Sequence, residues 1–198
     1  FYLDPAYKKS WSGPNSNIVN SLMGSATGSI DNDTSGSFGN NNSFTFDGVD
    51  DKISIPPDPL ATENRTAFTV SAWVKRANTS NGMIFNNGSL YNFGWYFYSP
   101  FFRVYLYNIQ LTISTSVSDL GLDNTNWNNI AMVMDTDNSI EKIYVNGISK
   151  YSDTSPRNYK DNTNPLNIGE FNGDIGPIKM YSKALSAAEV TQNYQAQK

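Results

Sequence analysis

The 198-residue sequence contains no cysteine and no histidine. The first absence excludes disulfides, thiol nucleophiles and Cys-ligated zinc or iron–sulfur sites. The second excludes a Ser-His-Asp triad and any His-liganded metal. Glutamate is nearly missing as well, since Glu63, Glu141, Glu170 and Glu189 are all there are. Charged residues make up 16% of the chain, against ~25% in an average domain. The net charge is −4 and the pI is near 4.7, so no basic footprint points to nucleic acid. No stretch approaches the ~20 consecutive apolar residues of a membrane-spanning helix, and membrane insertion is not expected. The chain opens at Phe1 without a charged-then-apolar leader, and reads as a processed product or a domain cut from a longer protein.

What the sequence has instead is uncharged polarity and aromatic bulk. It holds 26 Asn, 23 Ser and 14 Thr, alongside 12 Tyr, 11 Phe and 4 Trp. Asn and Ser side chains hydrogen-bond nearby backbone and so favour turns. Aromatics, Thr and Val fit a pleated, half-buried surface. Short alternations of the two classes predict an all-β sandwich or barrel.

Along the chain, residues 12–42 read as a long loop excursion with a short strand near Ile18–Leu22. Phe44–Phe46 and Ile53–Ile55 alternate on either side of Asp47-Gly48-Val49-Asp50-Asp51, which reads as a hairpin around an acidic turn. Phe68, Val70, Ala72 and Val74 share one face of the next strand. Trp73 lies on the other face, where a covering loop is expected, the alternative being a contact residue. Met83–Phe85 is a further short strand. Phe93, Trp95 and Phe97 then point one way and Tyr96 and Tyr98 the other. After a turn at Ser99-Pro100, Phe102, Val104 and Leu106 alternate with Arg103, Tyr105 and Tyr107. A strand follows from Leu111 toward Val117. Ile130, Met132 and Met134 against Ala131 and Val133 predict a strand covered on both faces. Asn146-Gly147 supplies the two positive-φ positions of a type I′ hairpin. Residues 152–164 read as loop, Leu166–Gly169 and Ile175–Tyr181 as strands, with Pro177 at an edge or bulge. Ser186 to Glu189 is a capping box opening the one expected helix. No Pro/Gly linker interrupts this order, so residues 1–198 read as one domain.

The order of these pieces resembles a known family. Phe46-Asp47-Gly48-Val49-Asp50-Asp51-Lys52-Ile53 is similar to the "F-D-G-x-D-D-Y-V" signature of laminin G-like jelly rolls, in the concanavalin A-like lectin/glucanase superfamily. Phe68–Lys75 looks like its next signature strand, Trp127–Met134 its "W-x-x-V-A" strand, and Ile143–Gly147 its "Y-V-N-G" hairpin. Phe171–Ile175 with Tyr181–Val190 looks like the closing strand and "L-S-x-x-E-I" helix. The resemblance implies a two-sheet antiparallel jelly-roll sandwich with one short C-terminal helix. Tyr2-Leu3-Asp4-Pro5 with Ser10-Trp11-Ser12-Gly13 resembles versions found in tailed-phage virion proteins, which implies a virion-surface or extracellular location.

Glycoside hydrolysis needs two carboxylates ~5–10 Å apart. Family glucanases place them as E-x-D-x-x-E, and no such pattern occurs here, so no catalytic residue is expected. No metal ligand is assigned either. The acidic turn at Asp47, Asp50 and Asp51, with Asp174, leaves Ca²⁺ open as a cofactor, but Asp side chains also cap loops, and that reading is preferred. The candidate binding residues are the outward set Tyr96, Tyr98, Arg103, Tyr105 and Tyr107, near Asn92 and Asn108. Such a set fits cross-strand pairing, a protein contact or a glycan, whose C–H faces lie on aromatic rings. The expected function is a non-enzymatic structural or decoration module of a phage virion, joined to other subunits or to copies of itself. The alternative is a lectin-like adhesin reading cell-surface glycans, and a glycoside hydrolase stands third.

Overall fold

The alternation from Phe68 to Val74 puts four apolar side chains on one strand face, and in the computed structural model all four are buried. The structure describes residues 1–12, 16–31, 43–56, 66–87, 93–105, 111–154 and 164–198, with backbone only at 111–112. In chain order the strands are β1 (Tyr2–Leu3), β2 (Ile18–Asn20), β3 (Thr27–Asp31), β4 (Phe44–Asp47), β5 (Lys52–Ile55), β6 (Ala67–Arg76), β7 (Gly82–Asn87), β8 (Gly94–Tyr98), β9 (Phe101–Tyr105) and β10 (Leu111–Ser116). They continue with β11 (Asn128–Asp135), β12 (Ile140–Val145), β13 (Ile148–Asp153), β14 (Leu166–Gly169) and β15 (Asn172–Tyr181). Two helices, α1 (Val117–Leu120) and α2 (Ala187–Gln195), complete the described elements.

The strands form two antiparallel sheets. One has seven strands in the order β1-β15-β6-β11-β12-β13, with β4 also on β15. The other has eight, in the order β10-β9-β8-β7-β14-β5-β3-β2. Their inner faces meet in a single apolar layer. Phe68, Ile130, Met132 and Ile175 come from the first sheet, and Phe85, Trp95, Phe102 and Ile168 from the second. Trp95 sits at its centre, with its ring 4.6 Å from Phe85 and 5.8 Å from Phe102. This is the jelly-roll sandwich the sequence led us to expect.

Several local expectations hold. Asn146 and Gly147 both have positive φ, 52° and 77°, and close the β12–β13 hairpin. Pro177 lies where the β15–β6 register shifts. Ser186 and Glu189 form the capping box, each accepting from the other's backbone N–H.

Other expectations are corrected. Phe44–Asp47 and Lys52–Ile55 do not pair with each other: β4 joins the seven-stranded sheet through β15, and β5 joins the eight-stranded sheet through β14 and β3. Phe44, Phe46, Ile53 and Ile55 are all buried because the two strands face each other across the core rather than side by side. The acidic turn between them is therefore a crossover from sheet to sheet. The 12–42 segment likewise contains β3, Thr27–Asp31, where loop is expected from the sequence. The helix count rises to two with α1, capped by Ser116, whose hydroxyl accepts from Asp119 N.

The outer face of the seven-stranded sheet carries a second, smaller cluster. Ala131, Val133 and Tyr144 meet Leu185 and Val190, so α2 lies on this face. Thr69 Oγ1 fixes the approach by donating to Lys183 O and accepting from Leu185 N, both at 2.9 Å. The expected cover over Trp73 comes from this helix, with the Trp73 ring stacked on Tyr194 at 5.7 Å. Of the two described helices, α2 lies on the seven-stranded sheet, while α1 packs beside β10 and β13 with Leu120 in the main core.

Candidate functional site

Strand register decides what the outer face of the eight-stranded sheet presents, because directly opposed residues share a face. Tyr96 on β8 is opposite Arg103 on β9 and Met83 on β7, and Tyr98 is opposite Phe101. Gly94 is opposite Tyr105 and Asn86, and Asn86 is opposite Asn167 on β14. The same row continues through Ser54 on β5 to Ser29 on β3. With Trp95, Phe97, Phe102 and Val104 filling the core, the tyrosines and Arg103 are left on the outside.

The rings are not equivalent. Tyr98 is 51% exposed, whereas Tyr96 is only 9% exposed. The reason is Gly94. Its missing side chain leaves the place where the Tyr96 ring lies, and a Cβ there would come within 2.6 Å of Tyr96 Cε2. The folded-back ring packs edge-on against Tyr105 at 5.2 Å and receives a hydrogen bond on its hydroxyl from Asn86 Nδ2 at 3.2 Å. Asn167 Nδ2 in turn donates to Asn86 Oδ1 at 3.4 Å. A continuous track thus crosses the sheet, aromatic at Tyr105 and Tyr96, amide at Asn86 and Asn167, hydroxyl at Ser54 and Ser29. From β9 to β3 it spans roughly 24 Å at the usual interstrand spacing.

Toward the Ser99–Pro100 turn the face changes character. Phe101, which sequence reading passed over, is outward and 38% exposed. It shares the parity of Arg103 and Tyr105, and that signal was available. The Arg103 guanidinium lies 4.2 Å from the Tyr98 ring centroid and 5.8 Å from that of Phe101. Of the five residues expected to bind, Tyr96, Tyr98, Arg103 and Tyr105 are brought together on one face. Tyr107 lies outside the described residues, as do Leu106, Asn92 and Asn108.

The carboxylates are arranged differently. Asp47, Asp50 and Asp51 bring oxygens within 4.8 Å of one another, and they are the group among the described residues that could hold a cation. The turn already uses this chemistry: Asp47 Oδ1 accepts from Val49 N at 2.8 Å and Asp51 Oδ2 from Asp47 N at 3.1 Å. Asp174 stands apart, accepting from Thr45 Oγ1 at 2.6 Å. Register also makes a pair that the sequence did not reveal, Glu141 directly opposite Asp153. Glu141 points inward and is 1% exposed, so it is out of reach of a sugar on the surface. Burial, then the charges of Asp153 and Glu141, push the nearby Tyr151 phenol up. Glu170 helps shape the crossover, donating its backbone N–H to Asp51 O. Glu189 is held low, at about 2, by Lys183 and by the Ser186 N–H and hydroxyl.

Comparison with known proteins gives the following. A laminin G family model (Laminin_G_3), described as concanavalin A-like lectin/glucanases superfamily, matches residues 47–191. No curated protein matches the chain. Among solved structures, it is similar to the botulinum neurotoxin serotype D binding domain, with a TM-score of 0.75 and 15% identity over 99% of this chain and 51% of that one. It is also similar to the serotype D ligand binding domain in complex with N-acetylneuraminic acid, with a TM-score of 0.68, 16% identity, and 87% and 46% of the two chains covered. The receptor binding domain of the C/D mosaic serotype gives a TM-score of 0.65 and 15% identity over 99% and 50%. The chain thus spans about half the length of these neighbours, and at such identities the likeness is one of fold.

Proposed function

The chain belongs to the Laminin_G_3 family of the concanavalin A-like lectin/glucanases superfamily, and from that premise we propose that it is a non-enzymatic, lectin-like module. It takes a saccharide along the outer face of the eight-stranded sheet. The observation that carries this reading is the track from Tyr105 through Tyr96, Asn86 and Asn167 to Ser54 and Ser29. Sugar rings offer C–H faces to aromatics and hydroxyls to amides; the more open Tyr105, Asn167, Ser54 and Ser29 supply both, and the buried Tyr96 and Asn86 hold Tyr105 and Asn167 in place. The neighbours named above are binding domains, one of them in complex with a sugar acid, which is in keeping with a binding module. The burial of Glu141, and the use of Asp47 Oδ1 and Asp51 Oδ2 as caps within the turn, favour binding over hydrolysis.

A second reading keeps the same face but gives it a protein partner, as a decoration module on a virion or another extracellular assembly. Tyr and Arg are the residues interface hot spots favour, and Tyr98 and Phe101 stand exposed beside Arg103. A glycan array separates the two. The saccharide reading predicts binding that Tyr105→Ala or Asn167→Ala weakens roughly tenfold, a loss of ~1.4 kcal/mol. A chain that binds no glycan but forms oligomers lost in Tyr98→Ala favours the protein partner.

A further inference from the structure

Among the described residues, no carboxylate pairs with Arg103. This arginine is half-buried, its buried Nε–H donates to no acceptor among the described residues, and its guanidinium lies against the rings of Tyr98 and Phe101. The salt bridge among the described residues is elsewhere, between Lys183 and Glu189. In sequence Arg103 is the sole charged residue between Arg76 and Asp119. Arg76 shows what a structural arginine looks like here. It too lies over a ring, 4.1 Å from the Phe97 centroid, but it is buried and its Nη2 donates to Ser80 O at 3.1 Å. Among the described residues, Arg103 has the ring and its Nε–H has no acceptor.

A guanidinium carries five donors in a rigid fork that matches a two-oxygen anion, and a buried donor left unmade is costly. Stacking holds the plane in place before any ligand arrives, which lowers the ordering cost of binding. Beside it, Ser114 on β10 is directly opposite Arg103 and exposed, offering a hydroxyl at the rim. We infer that Arg103, held by Tyr98 and Phe101, reads an anionic group on the saccharide, so that the ligand is an acidic sugar bearing a carboxylate or a sulfate ester. The inference rests on the saccharide reading and adds charge to it. The subsite lies at the turn end of β8 and β9, so an acidic unit seats there while neutral units extend along the amide row.

The test uses an array of neutral, carboxylated and sulfated saccharides, followed by titration of the best acidic ligand and its neutral counterpart. Wild-type protein should prefer the acidic member, and Arg103→Gln should weaken that ligand about tenfold or more and the neutral one far less. Arg103→Lys keeps the charge without the fork and should fall between. Affinity for the acidic ligand should drop with salt while the neutral one's does not. Melting curves check each variant's fold, and if Arg103→Gln unfolds, Arg103→Lys and the salt series carry the comparison. Whether carboxylate or sulfate is read follows from which arm of the array responds. Equal binding of acidic and neutral sugars, unmoved by Arg103→Gln, overturns the inference and leaves the saccharide reading standing. An empty array, or capture of poly-glutamate in place of any sugar, overturns both.

Discussion

Gly94 sets the depth of the candidate face at the scale of single residues. Because nothing occupies its side-chain position, Tyr96 folds down beside Tyr105 and reaches Asn86. Gly94→Ala would place a methyl 2.6 Å from the Tyr96 ring and 3.1 Å from Phe85 O. Overpacking of this kind costs roughly 1–3 kcal/mol, and we expect that loss in urea unfolding with an unchanged m-value. Stability equal to wild type would mean that the ring is not seated as described. The sequence made the side of Tyr96 legible but not its burial. Parity assigns a residue to a face, whereas depth depends on which neighbour leaves room. Phe101 is legible on the same parity, although an apolar ring at an outward position runs against the usual polar-out pattern.

At the scale of elements, the chain's punctuation was its most readable part. Asn146-Gly147 and the Ser186–Glu189 box each fix their geometry within a few residues, so local chemistry suffices. Partner choice was not readable. Phe44–Phe46 and Ile53–Ile55 bury the same faces whether they pair or oppose each other across the core, and only the distant strands β15, β14 and β3 decide. Glu141 and Asp153 meet for a similarly non-local reason, the β12–β13 register.

The capping box also carries a pH signature. The Glu189 carboxyl is lowered in the folded chain from 4.5 to about 2 by Lys183 and Ser186. A depressed folded-state value means that its contribution is present above about pH 4.5 and lost as the pH falls through about 2. The difference in melting temperature between wild type and Glu189→Gln should therefore shrink over that window. A difference that stays constant from pH 6 to about pH 2 would show that the carboxylate is not what caps α2.

On the scale of the whole molecule, the two sheets are used differently. The seven-stranded sheet spends its outer face on α2, through Leu185, Val190 and the Trp73–Tyr194 stack. The eight-stranded sheet keeps tyrosines, Arg103 and an amide–hydroxyl row on its outer face. The most direct test of this division is chemical-shift mapping on isotopically labelled protein during titration with a saccharide selected on the array. Shifts gathered on β7, β8, β9 and β14, including Asn86, Tyr96, Arg103, Tyr105 and Asn167, are the predicted result. Shifts gathered instead on α2 and Trp73, or on the Asp47–Asp51 crossover, would contradict it.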